Sequence, residues 1–447
     1  MNIRTKRKVK LKKYRVRYGV KLTLFPCVAL TTIVASLIYL ASSLTSFGLH
    51  LEIPLLAYVV PVLFLFFIWF AYYYKSRYSF SKVQRIKARL YHVIKSNKLF
   101  QEDTDDGYKK AYGTLIFYFY EKGNSLFVEA CTKGDAYTKK SEDLAIELES
   151  ALGLTLIEKD VSRPSLTRYE FSLKKVGRLQ FLSPSDVPWR NEDIQLDEEK
   201  VWKPHQSPHI LISGVTGGGK SYMIFSLLLQ MARQGWDIYI ADPKQNDLAS
   251  LRFSIPNGDS HIASTPSKIA KMVREVVELM NERNNTHFNS STSSMGKDYR
   301  HYRLQPIILV FDELASFQEM DKKIGVEVMS HLKQIVMMGR QVGVFLMIST
   351  QRPDHNALDT AIRDQVGLRI ALGKMSDDGI KMTLGVSSKD LPSTLYGGEV
   401  GSGYIYIDGE GWSNPRSFQS PYIDMDAINY QETLKRFLTM NNQKYLS

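Results

Sequence analysis

Three groups of residues in this 447-residue chain have the types and spacing needed to act on a phosphoanhydride. The first, Gly214-Val215-Thr216-Gly217-Gly218-Gly219-Lys220-Ser221, is a complete G-x-x-x-x-G-K-S/T phosphate loop. Its glycines let backbone N–H groups converge on phosphate oxygens, and a following helix points its positive end at the anion. In such a loop Lys220 reaches the β- and γ-phosphates of ATP, and the Ser221 hydroxyl binds Mg2+. The second group, Asp312-Glu313, closes the apolar run Ile307-Ile308-Leu309-Val310-Phe311. Asp312 is placed to hold the water shell of the metal, and Glu313 to orient or deprotonate the attacking water. Acidic residues often end apolar strands, so this pair gains its meaning from the intact loop upstream. The third, Gln351, follows another apolar run, Gly343–Ser349. A side-chain amide there would touch the γ-phosphate and report hydrolysis, or would simply cap the strand.

Each group needs a strand to deliver it and a helix to carry the chain back. Strand patterns occupy His209–Ser213, Asp237–Ala241, Ile307–Asp312, Val344–Ser349, Leu368–Leu372 and Tyr404–Ile407. Helical periodicity fills the gaps, as at Ser267–Glu282 and Lys322–Gly339. Alternating strands and helices predict an α/β domain with a mainly parallel sheet covered on both faces. Thr286–Tyr302 interrupts the pattern and reads as a mobile polar surface loop. The last segment, Asp424–Met440, reads as one terminal helix.

Upstream the composition changes. Leu22–Tyr39 and Pro54–Tyr74 are free of charge and long enough to cross a bilayer as helices. Residues 1–21 carry ten Lys and Arg, residues 75–101 carry eight, and the loop Ala41–Ile53 between the spans holds only Glu52. The positive-inside rule therefore predicts a cell-membrane protein with both termini cytoplasmic. A second span and the lack of a convincing small-residue cleavage site argue against a signal peptide. The net charge of +12 is mostly this topology signal: with those eighteen cations and Glu52 set aside, residues 102–447 carry a net −5. The basic balance thus gives no support to nucleic-acid binding. Cys27 and Cys131 read as isolated thiols, with no metal-ligand spacing around them.

The predicted organisation runs as follows. Residues 1–21 form a basic N-terminus, 22–74 a two-helix anchor and 75–101 a basic helical stalk. Residues 102–183 form a small α+β module in β-β-α-β-β order without a catalytic constellation, suited to docking or assembly. A proline-rich, acidic linker at 184–206 leads to the motor at 207–425, followed by a C-terminal helix at 426–447.

Over about residues 205–410 the chain resembles the FtsK/SpoIIIE-type DNA translocases. The resemblance is carried, in order, by Gly214–Ser221, Asp242-Pro243-Lys244, Ile307–Glu313, Gly339-Arg340 followed by Gly343, Thr350-Gln351-Arg352-Pro353 and Arg369-Ile370-Ala371. It implies a RecA-like P-loop motor assembled as a homo-hexamer, with nucleotide between subunits and DNA in the channel. Lys220, Ser221, Asp312, Glu313 and Gln351 carry over to matching positions, and a trans-acting arginine finger is implied, with Arg340 and Arg369 both open. Chromosome-partitioning members usually have more spans, a long linker and a C-terminal winged-helix module, for which this chain has no room before Ser447. It looks instead like the compact coupling proteins of Gram-positive integrative and conjugative elements, which implies a relaxase or relaxosome and secretion-channel proteins as partners. Chromosome partitioning, a protein-export ATPase and a non-hydrolysing scaffold are the alternatives.

Overall fold

The computed structural model describes residues 14–16, 54–76, 78–105, 108–132, 137–174, 176–289, 295–351, 359–388, 391–392 and 398–445. They fall into two compact units, Met1–Leu173 and Lys174–Ser447.

The first unit contains β1 (Tyr14–Val16), α1 (Pro54–Lys75), α2 (Lys82–Ser96), β2 (Phe100–Asp105), β3 (Tyr108–Thr114), β4 (Ile116–Lys122), β5 (Ser125–Cys131), α3 (Thr138–Glu142), α4 (Ala145–Leu152), β6 (Leu156–Arg163) and β7 (Leu166–Ser172). An antiparallel sheet runs in the order β1-β4-β5-β7-β6, and β2 pairs with β3. The basic stretch read as a stalk packs into this unit. On α2, Ile86, Leu90, Val93 and Ile94 recur at helical spacing and are buried against Phe117, Val128 and Leu148. Its lysines and arginines occupy the other positions, so a basic composition coexists with a core-forming face. The edge strand β1 comes from the basic N-terminal segment, with Tyr14 opposite Phe119.

The first apolar stretch, Leu22–Tyr39, lies outside the described residues. The second coincides with α1, whose side chains are described from Leu63 onward. Leu65 is 64% exposed and Trp69 56%, leaving an apolar surface that water solvates poorly. Among the described residues, no helix is long and apolar enough to cross a membrane.

The second unit holds β8 (Gln180–Phe181), β9 (Ile194–Gln195), β10 (Val201–Trp202), β11 (Ile210–Gly214), α5 (Lys220–Gln234), β12 (Asp237–Ala241), α6 (Gly258–His261), β13 (Ile262–Ala263), α7 (Pro266–His287), β14 (Ile307–Asp312), α8 (Leu314–Met320), α9 (Lys322–Val342), β15 (Val344–Thr350), α10 (Thr360–Arg363), β16 (Leu368–Leu372), α11 (Asp377–Leu384), β17 (Ser402–Ile407), β18 (Arg416–Gln419), β19 (Tyr422–Ile423), α12 (Met425–Ile428) and α13 (Tyr430–Tyr445). Its main sheet has eight strands in the order β13-β12-β14-β15-β11-β16-β17-β18. It is parallel as far as β16 and antiparallel beyond.

Side chains alternate across a strand, and here both faces are buried, which explains the continuous apolar runs. Ile210 and Ile212, with Ile308, Val310, Phe345 and Met347, enter one core with α5 and α13. Leu211, Leu309, Phe311, Leu346 and Ile348 enter the other, with Val273 and Val276 of α7 and Leu332 and Ile335 of α9.

Two segments read as loosely held are packed. In 184–206, Ile194, Leu196 and Trp202 are fully buried in the first of these cores. The Trp202 indole N–H donates to Ser207 O at 2.6 Å, and Gln195 exchanges two 2.9 Å hydrogen bonds with Gln230 of α5. This stretch is part of the core of the second unit rather than a linker. The polar insert is likewise tied down at its end: Tyr299 is fully buried edge-on to Phe345, and its N–H donates to Gln341 O at 2.8 Å. Gly343, at φ +73°, ends α9 beneath that ring, where an added Cβ would lie 2.6 Å from Tyr299 Cγ. Its apolar contacts make Tyr299 a core residue in a polar neighbourhood.

Candidate active site

Parallel strands in one sheet end on one edge, so whatever follows them meets there. Register fixes the neighbours: Ser213 lies beside Thr350, Asp312 beside Ser349 and Ala241 beside Phe311. The phosphate loop leaves β11, Gln351 leaves β15, Glu313 leaves β14 and Asp242 leaves β12, all toward the same edge.

The loop opens onto the first turn of α5, whose unpaired N–H groups face its mouth. Gly219 has φ +96°, and an added Cβ would lie 2.7 Å from Gly401 Cα. The Gly401 N–H donates to Gly218 O at 3.1 Å, so the turn entering β17 braces the loop from behind.

Glu313 is the centre of the site. It is a buried residue in a left-handed conformation, φ +53°, which L side chains avoid and which concentrates at functional positions. Its carboxylate accepts from Thr350 Oγ1 at 3.2 Å and from the Gln351 N–H at 3.3 Å. Oε2 also faces two ammonium groups, Lys220 Nζ at 3.7 Å and Lys244 Nζ at 3.5 Å. Burial holds the Lys220 ammonium below its usual range, while Glu313 and Asp312 pull it back up. Asp312 accepts from Ser349 Oγ at 2.8 Å. Thr216 Oγ1 donates to Gln351 Oε1 at 3.4 Å, linking the amide to the loop. Asp242 is fully buried, and burial followed by the nearby Asp312 pushes its carboxyl up.

Among the described residues there is no cluster of three or more His, Cys, Asp or Glu suited to a metal. The hard-oxygen pair Ser221 Oγ and Asp312 fits Mg2+ in its nucleotide-bound mode, where phosphates and water complete the shell.

The structure therefore gathers Gly214–Ser221, Asp312, Glu313 and Gln351. Arg352 and Pro353 lie outside the described residues. Arg340 and Arg369 are elsewhere. Arg340 precedes β15 and its Nε donates to His205 O at 2.9 Å. The seven residues of β15 put it roughly 23 Å from the strand end that carries Gln351. Arg369 opens β16, donating from Nε to Val366 O at 3.0 Å and facing Asp408 at 4.0 Å. Neither meets the phosphate loop of its own chain. Sequence reasoning named Lys244 and Thr350 only within motifs and gave neither them nor Ser349 a role in the site. Asp242-Pro243-Lys244 at the end of a strand was the available signal, since β12 borders β14.

Fold and site define a P-loop ATPase of the α/β type. The FtsK/SpoIIIE family model matches residues 175–303. The FtsK domain-containing protein YdcQ of Bacillus subtilis (strain 168) is 30% identical over 346 residues, covering 77% of this chain and 69% of that protein. The chain belongs to the FtsK/SpoIIIE family. The DNA translocase FtsK of Caldanaerobacter subterraneus subsp. tengcongensis is 27% identical over 246 residues, covering 52% of this chain and 32% of the translocase. The chain thus spans about a third of that relative's length. The solved structure of the pCW3 conjugation coupling protein TcpA, monomer form with ATPγS, shares the fold, with a TM-score of 0.51 and 18% identity over 79% of this chain and 99% of TcpA.

Proposed function

We propose that this chain is a membrane-anchored, ATP-driven DNA translocase that passes DNA to a conjugative transfer channel. The observation that carries the chemistry is the convergence of Lys220, Asp312, Gln351 and Thr350 around the strained, buried Glu313. In the proposed step, a water oxygen forms a bond to the γ-phosphorus, the bond to the β,γ-bridging oxygen breaks, and the water proton passes to the Glu313 carboxylate. ADP and phosphate are the products. Lys220 and the first-turn amides of α5 stabilise charge on the phosphates, and Gln351, tied to Thr216, senses the γ-phosphate. Ser221 and Asp312 would hold Mg2+, which would supply neutralisation of the charge on the bound triphosphate.

The cargo is drawn from the family: relatives named DNA translocases match the motor segment. The conjugative assignment draws on the fold shared with the solved structure of the coupling protein TcpA, 99% of whose chain is covered. Anchoring is supported by the two uncharged stretches, Leu22–Tyr39 and Pro54–Tyr74. A homo-hexamer would place Arg340 or Arg369 at a neighbour's nucleotide, and their distance from their own loop suits action in trans.

The test is transfer of an element from donor cells carrying Lys220→Ala. Transfer should be lost while division and nucleoid placement stay normal. Normal transfer would overturn the proposal, trapped chromosomes at division would favour partitioning, and polypeptide rather than DNA crosslinked to the motor would favour protein export.

A further inference from the structure

Lys244 has no part in the chemistry above, yet it stands as close to Glu313 as the phosphate-loop lysine does. Its position is built. The buried Asp242 carboxylate accepts from the Lys244 N–H at 3.1 Å through Oδ1 and from the Ala249 N–H at 3.0 Å through Oδ2. One carboxylate thus clips both ends of the turn leaving β12. Because β12 borders β14 on the side away from β11, Lys244 reaches Glu313 from one flank and Lys220 from the other.

The charges make this arrangement unusual. Two ammonium nitrogens at 3.5 and 3.7 Å from the same Oε2 lie within about 7 Å of each other. Lys244 also contributes to holding the Lys220 ammonium below its usual range, after burial. Asp312 also acts on Lys220, so the two cations stand against a group of carboxylates, and a phosphate arriving beside the loop would compete with Glu313 for both ammonium groups. The anion that this site admits is the terminal phosphate of a nucleoside triphosphate, beside the loop. The Lys244 side chain is the more exposed of the two, at 37% against 12%.

We infer that Lys244 is a γ-phosphate-sensing residue: it holds Glu313 when the site is empty and turns onto the terminal phosphate when a triphosphate binds, releasing Glu313 to take a proton from water. The inference rests on the ATPase reading of the same site. A diphosphate offers no terminal phosphate for Lys244 to turn onto, so on this inference the residue sets the preference for triphosphate over diphosphate.

Binding of ATPγS and of ADP to the purified full chain, with Mg2+, tests this. The unaltered chain should prefer ATPγS. Lys244→Met should weaken ATPγS binding at least tenfold while ADP binding changes less than threefold, and Lys244→Arg should restore much of the preference. Retained preference in Lys244→Met would overturn the role. Equal loss of both ligands would overturn it too, showing that Lys244 only supports the fold. An unaltered chain that bound neither nucleotide would instead bring down the ATPase reading, and this inference with it.

Discussion

Replacing Glu313 by glutamine removes one charge and almost no volume, which makes it the sharpest probe of the site. The carboxylate serves two sets of partners: Thr350 Oγ1 and the Gln351 N–H on one side, Lys220 and Lys244 on the other. All four are donors, and an amide has only one oxygen. Whichever set the amide oxygen faces in Glu313→Gln, the NH2 group faces donors on the other, costing about 1–3 kcal/mol of local hydrogen bonding. The catalytic loss is larger. An amide cannot take the water proton, and a positioned general base contributes roughly 10²–10⁴-fold, or about 3–5 kcal/mol in the barrier. Affinity should move the other way, because a negative charge beside the phosphates is gone. The assay pairs steady-state ATP turnover with ATPγS binding on the full chain: turnover falls at least a hundredfold while binding is no weaker. Turnover within threefold of the unaltered protein would refute the assignment of Glu313 as the base.

Three further outcomes follow from the same geometry. Gly219→Ala places a Cβ against the Gly401 backbone at a φ of +96°, so it should cost several kcal/mol and abolish nucleotide binding; an unchanged ATP affinity in a titration would contradict this. Tyr299→Ala removes a fully buried ring from beside Phe345 and should lower the unfolding free energy by about 3–5 kcal/mol in urea, whereas a surface-loop residue would cost almost nothing. His209 is fully buried, its Nδ1 accepting from the Leu346 N–H at 3.1 Å and its Nε2–H donating to Val336 O at 3.1 Å, and burial pushes its pKa down from 6.5 to about 4. Between those values the unfolded chain binds a proton that the native protein refuses. Stability from this group is therefore present above pH 6.5 and lost as pH falls toward 4, by up to about 3 kcal/mol. Urea unfolding at pH 7 and 4.5 should show a smaller acid loss in His209→Gln, and equal losses would contradict the assignment.

The sheet was legible because its strands are buried on both faces and therefore continuous in sequence. Asp237–Ala241, Ile307–Asp312 and Leu368–Leu372 appear with the expected limits, and the site follows from them because parallel strands end together. What sequence hides is burial decided by distant partners. Trp202 sits among prolines and acids, and only the far-off Trp236 and Phe345 make it core. Tyr299 in a polar run and the apolar stripe of the basic α2 are hidden in the same way. Lys244 was seen in its motif but given no role for a related reason: one lysine after an Asp-Pro pair acquires chemistry only when β12 is seen to border β14.

The central claim is an ATPase that drives DNA. The most direct measurement is ATP turnover by the purified full chain with no DNA, with single-stranded DNA and with duplex DNA, for the unaltered protein and for Lys220→Ala. Turnover that rises several-fold with one of the DNA forms and disappears in Lys220→Ala is the predicted result. Turnover no higher than that of Lys220→Ala under every condition would contradict the account.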